Sequence, residues 1–476
     1  MPTQQAASVV DAFERAFGVI QTRVSVCAAG TGSAASSEDA LHGAFAVAYS
    51  GGLDSAALLH LAHDYARTHG MSLYAFHVHH GLSSNADHWL AHCKQECAQL
   101  GIQFDARQVS LADRDKHGTE QAARISRYAA LGELCRLHRV PLLLTAHHQD
   151  DQAETVLLQL LRGSGVAGLS GMESVNTAPG LLGGDDLLIG RPLLAVSRAD
   201  LERFVAQRAV RHVEDESNAD SRYARNALRH KIAPALNEYF PGFQERVCRT
   251  AQHAQSSQRL LNELAELDLA ECLDGECIDI DRLKHFSLDR IDNLLRYWLA
   301  SRGMRMPATA WLDEMREQLL DAKEDARIRV THADCEIRRH RGRVFLTPRS
   351  DDAELAVAPL SFRWNGEAKI HFPSYGGCLH FDVVEEGIDA AWLREHELLI
   401  RYRKGGEKLK PAANRPTRSL KHHYQALNIP SWERLRLPVV TVGDYLLLAA
   451  GIGMNWLDIP LGSKQAIKLR WEKAVG

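Results

Sequence analysis

Between residues 43 and 162 short apolar runs alternate with longer amphipathic stretches of helical period. The pattern predicts strands at 43–49, 72–79, 102–109 and 141–146, and helices at 54–68, 86–100, 118–138 and 150–162. Alternation of this kind builds an α/β domain, a parallel sheet with helices on both faces. Such sheets bind ligands beyond the carboxyl ends of their strands. Three polar clusters fall on those ends: Ser50–Ser55, His77–Leu82 and Ala146–Glu154. One rim therefore collects most of the chemistry the chain has to offer.

The first cluster reads Ser50-Gly51-Gly52-Leu53-Asp54-Ser55, directly after the run Ala46-Val-Ala-Tyr49 and directly before helix-forming residues. A strand that stops at small residues and opens a helix can cradle a phosphate chain. Gly51 and Gly52 can take backbone angles closed to other residues and bring N–H groups close to phosphate oxygens. Ser50 and Ser55 add hydroxyls, and the helix start adds unpaired N–H groups at the positive end of its dipole. The spacing differs from Gly-x-x-x-x-Gly-Lys-[Ser/Thr], and Asp54 stands where that motif carries its lysine. A carboxylate beside phosphates makes sense with Mg²⁺ between them.

The second signal is Thr145-Ala-His-His-Gln-Asp-Asp-Gln-Ala-Glu-Thr155. It puts His147, Asp150, Asp151 and Glu154 at the top of a buried strand and in the first turn of its helix. Acids there suit the helix dipole and can also hold Mg²⁺ with nucleotide oxygens. Taken alone the segment is a capped helix with solvated acids; coupled to the Ser50–Ser55 loop it reads as the other half of a nucleotide site.

At 476 residues the chain exceeds one ordinary core, and roughly 150 residues per domain suggests about three. The expected organisation is an N-terminal extension at 1–42, a catalytic domain at 43–240, a mainly helical middle domain at 241–350 and an α+β domain at 361–476. A short helix at 7–20 followed by a small-residue tether from Ala28 to Ser37 fills the extension. Residues 163–190 read as a Gly-rich loop region. Ser197-Arg-Ala-Asp200 opens a further helix as a capping box. No apolar run reaches the ~18 residues of a membrane span, and the N-terminus lacks a secretory pattern. Nine cysteines, with no Cys-x-x-Cys pair, point to reduced thiols in a cytoplasmic protein rather than to a metal knuckle.

The Ser-Gly-Gly-x-Asp-Ser loop in this context resembles the PP-loop ATP pyrophosphatases. The resemblance narrows with Asp150-Asp-Gln-Ala-Glu-Thr155 and Arg162-Gly-Ser-Gly-Val-Ala-Gly-Leu-Ser-Gly-Met172. It also includes Glu120-x-x-x-Arg124-x-x-Arg127-Tyr128, Arg191-Pro-Leu-Leu194, and Asp215-x-Ser217-Asn218 through Arg225, Arg229 and Pro234. Together with Arg401 to Pro438 these are similar to the tRNA(Ile)-lysidine synthetase family over roughly 43–240 and 398–455. His77-Val-His-His-Gly-Leu82 fits as well, although His79 replaces the family's usual Asn.

The resemblance implies a PP-loop domain of the adenine nucleotide α-hydrolase type and a ligase that uses ATP and Mg²⁺. It would adenylate the ring carbonyl at position two of the wobble cytidine of a CAU-anticodon tRNA(Ile). Free L-lysine would then displace AMP. Ser50, Gly51, Gly52, Leu53, Asp54 and Ser55 are expected at the phosphates, and Asp54 with Glu154 at Mg²⁺. His147 is expected at the metal or the attacked carbonyl, and Arg124 at the α-phosphate, where a guanidinium makes paired bonds. Glu120 or Asp151 is expected to hold the lysine ammonium. The family also allows a homodimer.

A net charge of −4 makes RNA affinity a local matter. Arg222, Arg225 and Arg229, with Tyr223 among them, form one basic stretch. Arg401 to Arg436 form another, in which ten Lys and Arg stand against Glu407 and Glu433. Arg403, Lys404, Lys408, Arg418 and Lys421 are its expected contacts to phosphates, with aromatics for unstacked loop bases. Arg338, Arg339, Arg341 and Arg343 make a weaker patch that a solvated β-edge explains equally well. Three other functions use parts of the pattern. A tRNA thiolation enzyme activates a base carbonyl in the same way but needs paired cysteines. An amidotransferase-type pyrophosphatase would leave the basic C-terminus idle. A non-catalytic nucleotide sensor has no use for Asp54, Glu154 and Arg124 on one rim.

Overall fold

The computed structural model describes residues 8–30, 43–79, 81, 85–109, 119–184, 187–214, 224–321, 328–349, 357–456 and 465–473. They group into two compact units, Met1–Leu267 and Asp268–Gly476. Among the described residues no helix is long and apolar enough to cross a membrane.

In the first unit the alternation becomes β1 (Phe45–Ala48), α2 (Leu53–His69), β2 (Leu73–His79), α3 (Ala86–Leu100), β3 (Gln103–Gln108), α4 (Thr119–Leu137), β4 (Leu142–Leu144) and α5 (Gln149–Leu161), preceded by α1 (Val9–Gly30). The sheet order is β3-β2-β1-β4-β6-β5, where β5 is Val175–Thr177 and β6 is Leu188–Gly190. Its ladders are parallel except for the β5–β6 edge pair. Chain order reverses between β1 and β4, so their carboxyl ends open the crevice where such sheets bind ligands. Strands β1 and β4 are buried on both sides, as their unbroken apolar runs require.

Two expectations change. The N-terminal helix runs to Gly30, through the start of the expected tether. Phe13, Phe17 and Ile20 are fully buried, with Phe17 rings 4.9 Å from Phe45 and 4.8 Å from Tyr65. Burying three such side chains contributes about 1.5–3 kcal/mol each, which anchors the helix to the sheet. Residues 163–190, expected as loop, supply β5, β6 and two short helical turns. Set among glycines and turn residues, the short apolar run of β6 does not stand out as that of β4 does, and β6 is recognised through its pairing with β4. Helix α6 (Arg198–Gln207) starts where expected, its Asp200 N–H bonded to Ser197 Oγ. Residues 224–239 are helical with a π-turn at Leu228–Ile232, and α7 spans Phe243–Cys272.

The second unit begins with helices α8 (Leu288–Ser301) and α9 (Thr309–Asp321) on a five-stranded antiparallel sheet. Ile291, Leu294, Leu295, Trp298 and Leu299 form the buried stripe of α8 and pack on Ile278, Ile337 and Val344 of that sheet. Beyond it, a five-stranded and a four-stranded sheet share one core around Trp364, Leu379, Ile400 and Val440. Helix α10 (Leu420–Ala426) fills the expected 418–427 position. Residues 351–356 of the expected linker lie outside the described residues.

Candidate active site

The Ser50–Ser55 loop is held in shape by its own side chains. Ser50 Oγ and Ser55 Oγ are 3.0 Å apart, Gly52 N–H donates to Ser50 Oγ at 3.4 Å, and Ser55 Oγ donates to the Gly52 carbonyl at 2.9 Å. Gly51 takes φ +88, and a Cβ there would lie 2.9 Å from Cys93 Sγ and 3.1 Å from Val213 Cγ2. Both backbone angle and space therefore demand glycine. Gly52 does not share the first requirement. It caps α2 in extended geometry (φ −72, ψ 163), and a Cβ would meet nothing closer than 3.7 Å.

Asp54, on the first turn of α2, faces the end of β4. Burial alone would raise its pKa; the nearby His148, and the charges of Arg198 and Arg229, outweigh burial and hold it low. Its Oδ1 is buried and has no hydrogen-bond partner within the protein. That orphaned oxygen fits a divalent cation, which in nucleotide sites takes one or two carboxylates and completes its shell with phosphates and water. Among the described residues no three His, Cys, Asp or Glu side chains form a metal cage.

His148 is the residue the sequence reading missed. It is fully buried, with Nε2 3.7 Å from Asp54 and 3.4 Å from Asp151, and Nδ1 3.7 Å from Asp150. Burial opposes its charge, but these three carboxylates prevail and raise its pKa. Its backbone N–H also donates to Asp151 at 3.2 Å, tying the start of α5 together. His147 has the opposite character. Its Nδ1 lies 2.9 Å from Thr145 Oγ1. Burial, with Arg191, Arg124 and Arg225 nearby, lowers its pKa to about 4 against the pull of Asp151. The adjacent histidines are thus pushed in opposite directions, His147 toward its neutral form and His148 toward its charged one.

Glu154, 4% exposed, is clasped by Arg229: Nε donates to Oε1 at 2.6 Å and Nη2 to Oε2 at 2.9 Å. Nη2 also reaches Asp151 at 2.9 Å. Burial raises the Glu154 pKa more than Arg229 lowers it. Arg225 donates to Thr155 Oγ1 at 2.8 Å and lies 3.5 Å from Glu154. Arg225 and Arg229, expected to face RNA, therefore turn onto the acids of α5, because the helical run 224–239 carries them there. Glu154 has both oxygens engaged by Arg229, so only Asp54 of the expected metal pair offers an unused oxygen.

Arg124 is exposed on α4, 5.0 Å from the Tyr128 ring centre. Glu120 lies on the same helix, but its side chain, like Arg222 and Tyr223, lies outside the described residues. In the second unit Lys404, Lys408, Arg418 and Lys421 are exposed, and Arg403 lies 6.0 Å from the Tyr424 ring centre. Glu407 is neutralised by Arg401 at 2.9 Å and by the Lys404 and Gly405 N–H groups. This leaves the surface strongly cationic. A cavity of about 210 Å³ lies beside α5, lined by Asp150, Glu154, Arg198 and Arg229 and walled by Ala153, Leu228, Pro234 and Phe243.

Comparison with known proteins matches three regions of the chain. A PP-loop domain covers residues 32–236, a TilS substrate binding domain 278–345 and a TilS substrate C-terminal domain 398–471. The tRNA(Ile)-lysidine synthase of Burkholderia pseudomallei is 40% identical over 442 residues, spanning 86% of this chain and 89% of its own. The chain belongs to the tRNA(Ile)-lysidine synthase family. Its relatives include the Ralstonia nicotianae enzyme, 38% identical over 90% of this chain and 93% of that one. The Coxiella burnetii enzyme is 36% identical over 86% and 88%. As a lysidine synthase family member with a PP-loop domain, the protein is an ATP-dependent ligase of tRNA modification.

Proposed function

We propose that the protein joins free L-lysine to the wobble cytidine of a CAU-anticodon tRNA(Ile), in two steps on the β1–β4 rim. The cytosine ring oxygen attacks the α-phosphorus of ATP and pyrophosphate leaves. The lysine ε-amine then forms a bond to the ring carbon, the carbon–oxygen bond breaks, and AMP departs. The Ser50–Ser55 loop binds the leaving pyrophosphate, and Arg124 holds the α-phosphate. Mg²⁺ on Asp54 would neutralise the phosphate charge. His147, kept neutral by its surroundings, is free to bond the reacting carbonyl side of the site.

The observation that carries the lysine assignment is the cavity beside α5. Its walls of Ala153, Leu228, Pro234 and Phe243 suit the butyl stem, and Asp150 and Glu154 suit an ammonium. Arg229 occupies the Glu154–Asp151 pair with a cation of its own, so a lysine ammonium bound there would replace one positive charge by another. Glu154, with its raised pKa, is positioned to take the proton that the attacking amine must lose. Asp151 remains the neighbouring anion. Lys404, Lys408, Arg418 and Lys421, with Arg403, would hold tRNA phosphates in the cytoplasm, where the reduced cysteines belong.

The test is transfer of radiolabelled lysine to tRNA transcripts. Label should enter the CAU-anticodon tRNA(Ile), depend on ATP, and bypass methionine tRNA. Absence of label on every transcript would refute the proposal.

A further inference from the structure

A second cavity, of about 330 Å³, lies on the other side of α5, between the segment Ala167–Asn176 and α7. Asp150 and Glu154 line the first cavity, whereas Gln152, two residues away from each, binds the wall of the second. At 100° per residue Gln152 points away from both. Its Nε2 donates to the Met172 carbonyl at 2.9 Å and its Oε1 accepts from Met172 N–H at 2.7 Å. Gln255 donates to the Ser170 carbonyl at 2.8 Å and the Met172 carbonyl at 3.1 Å. The wall is thus built before any ligand arrives.

At its base is Arg191, 7% exposed, at the carboxyl end of β6. Nη1 donates to the Glu173 carbonyl at 2.8 Å and to Asn176 Oδ1 at 2.6 Å, while Nε is buried without an acceptor. Strand β6 neighbours β4, with Gly190 paired to Leu144, so Arg191 follows on the same rim as Thr145 and His147. Its charge is felt by His147. The opposite wall presents Gln258, Arg259 and Asn262, which bond only to close neighbours on their own helix in the contacts seen. Glu173 is the one carboxylate among the lining residues, against two guanidiniums.

We propose that this cavity receives an unstacked nucleotide adjacent to the modified base, a site that rests on the RNA-modifying reading given above. Amide and guanidinium groups read the edges of splayed-out RNA bases, and the surplus positive charge suits the attached phosphate. The cationic amino acid suits it poorly, because a single carboxylate stands here against two guanidiniums, whereas the other cavity sets Asp150 and Glu154 against its two and adds apolar walls for the stem. RNA and lysine therefore approach the rim from opposite sides of α5.

The test uses the full-length protein and a CAU anticodon stem-loop RNA. Arg191→Ala risks the fold, so the probing variant is Gln258→Ala/Arg259→Ala/Asn262→Ala on the outer helix face. Its RNA affinity should fall about tenfold, the loss of a few hydrogen bonds, with ATP affinity unchanged. An abasic residue on one flank of the target cytidine should weaken wild-type binding similarly and cost the triple variant nothing further. Unchanged RNA affinity in the triple variant, or full additivity with an abasic residue on both flanks tested in turn, overturns the site. Failure of the wild type to bind the stem-loop or transfer lysine removes instead the reading beneath it.

Discussion

The Ser50–Ser55 loop and the start of α5 face each other across the switch between β1 and β4, and they prepare for ligands in opposite ways. The loop carries hydroxyls and N–H groups already aligned, with Gly51 wedged against Cys93. The start of α5 carries three carboxylates, each with a partner in the protein itself, His148 for Asp150 and Asp151 and Arg229 for Asp151 and Glu154. An anion entering the first competes only with the bonds that Gly52 N–H and Ser55 Oγ make inside the loop, which a hydroxyl rotation releases. A cationic ligand can enter the second only by displacing a charge already there. On the proposed reading, phosphate would meet a largely preformed loop, and the amino acid would bind by exchange.

Asp54 joins the two regions, so its loss should have the largest effect. Asp54→Ala is expected to abolish lysine transfer while circular dichroism stays near wild type. Retained transfer would separate the two regions functionally. Arg229→Ala leaves buried Glu154 without its partner, which costs about 3–5 kcal/mol of stability; denaturant titration reads it. Adding Glu154→Gln should recover much of that loss, since the uncompensated charge is gone. Gly51→Ala must strain both backbone and packing, at about 1–3 kcal/mol, and should weaken ATP binding without changing RNA affinity.

The two histidines sharpen the contrast through pH. His147 has a lowered folded pKa, so the stability it contributes is complete above 6.5 and is lost as pH falls toward about 4. His148 has a raised one, so its contribution is complete below 6.5 and is lost as pH rises through the folded value. His147→Asn should flatten the acid side of the stability profile and His148→Asn the alkaline side, measured by melting across pH. The smallest effect belongs to the second unit. Lys421→Ala should weaken tRNA binding severalfold and lower its salt dependence by about one charge, with ATP affinity untouched.

The sheet was legible because alternation and burial act over long stretches; β1 to α5 lie within a few residues of their expected positions. Strands β5 and β6 were hidden by the glycines and polar residues around them, whereas the equally short β4 stands in an unbroken apolar run. The Ser50–Ser55 loop could be read because its residue types allow few other uses. His148 could not: His147 and His148 follow a strand that ends at Leu144, beyond which two-residue periodicity no longer says which ring turns inward. Arg225 and Arg229 look like any basic stretch until the fold brings them to acids some seventy residues earlier. Arg198 was absorbed into a helix start and Arg191 into the Arg191-Pro-Leu-Leu194 motif, local patterns whose tertiary neighbours no spacing reveals.

The most direct measurement incubates the protein with ATP labelled at the α-phosphorus and CAU-anticodon tRNA(Ile), leaving lysine out. Label should appear on the RNA, leave as AMP when lysine is added, and never appear with Asp54→Ala. RNA that stays unlabelled while lysine transfer proceeds once lysine is added would contradict an adenylated base as the intermediate.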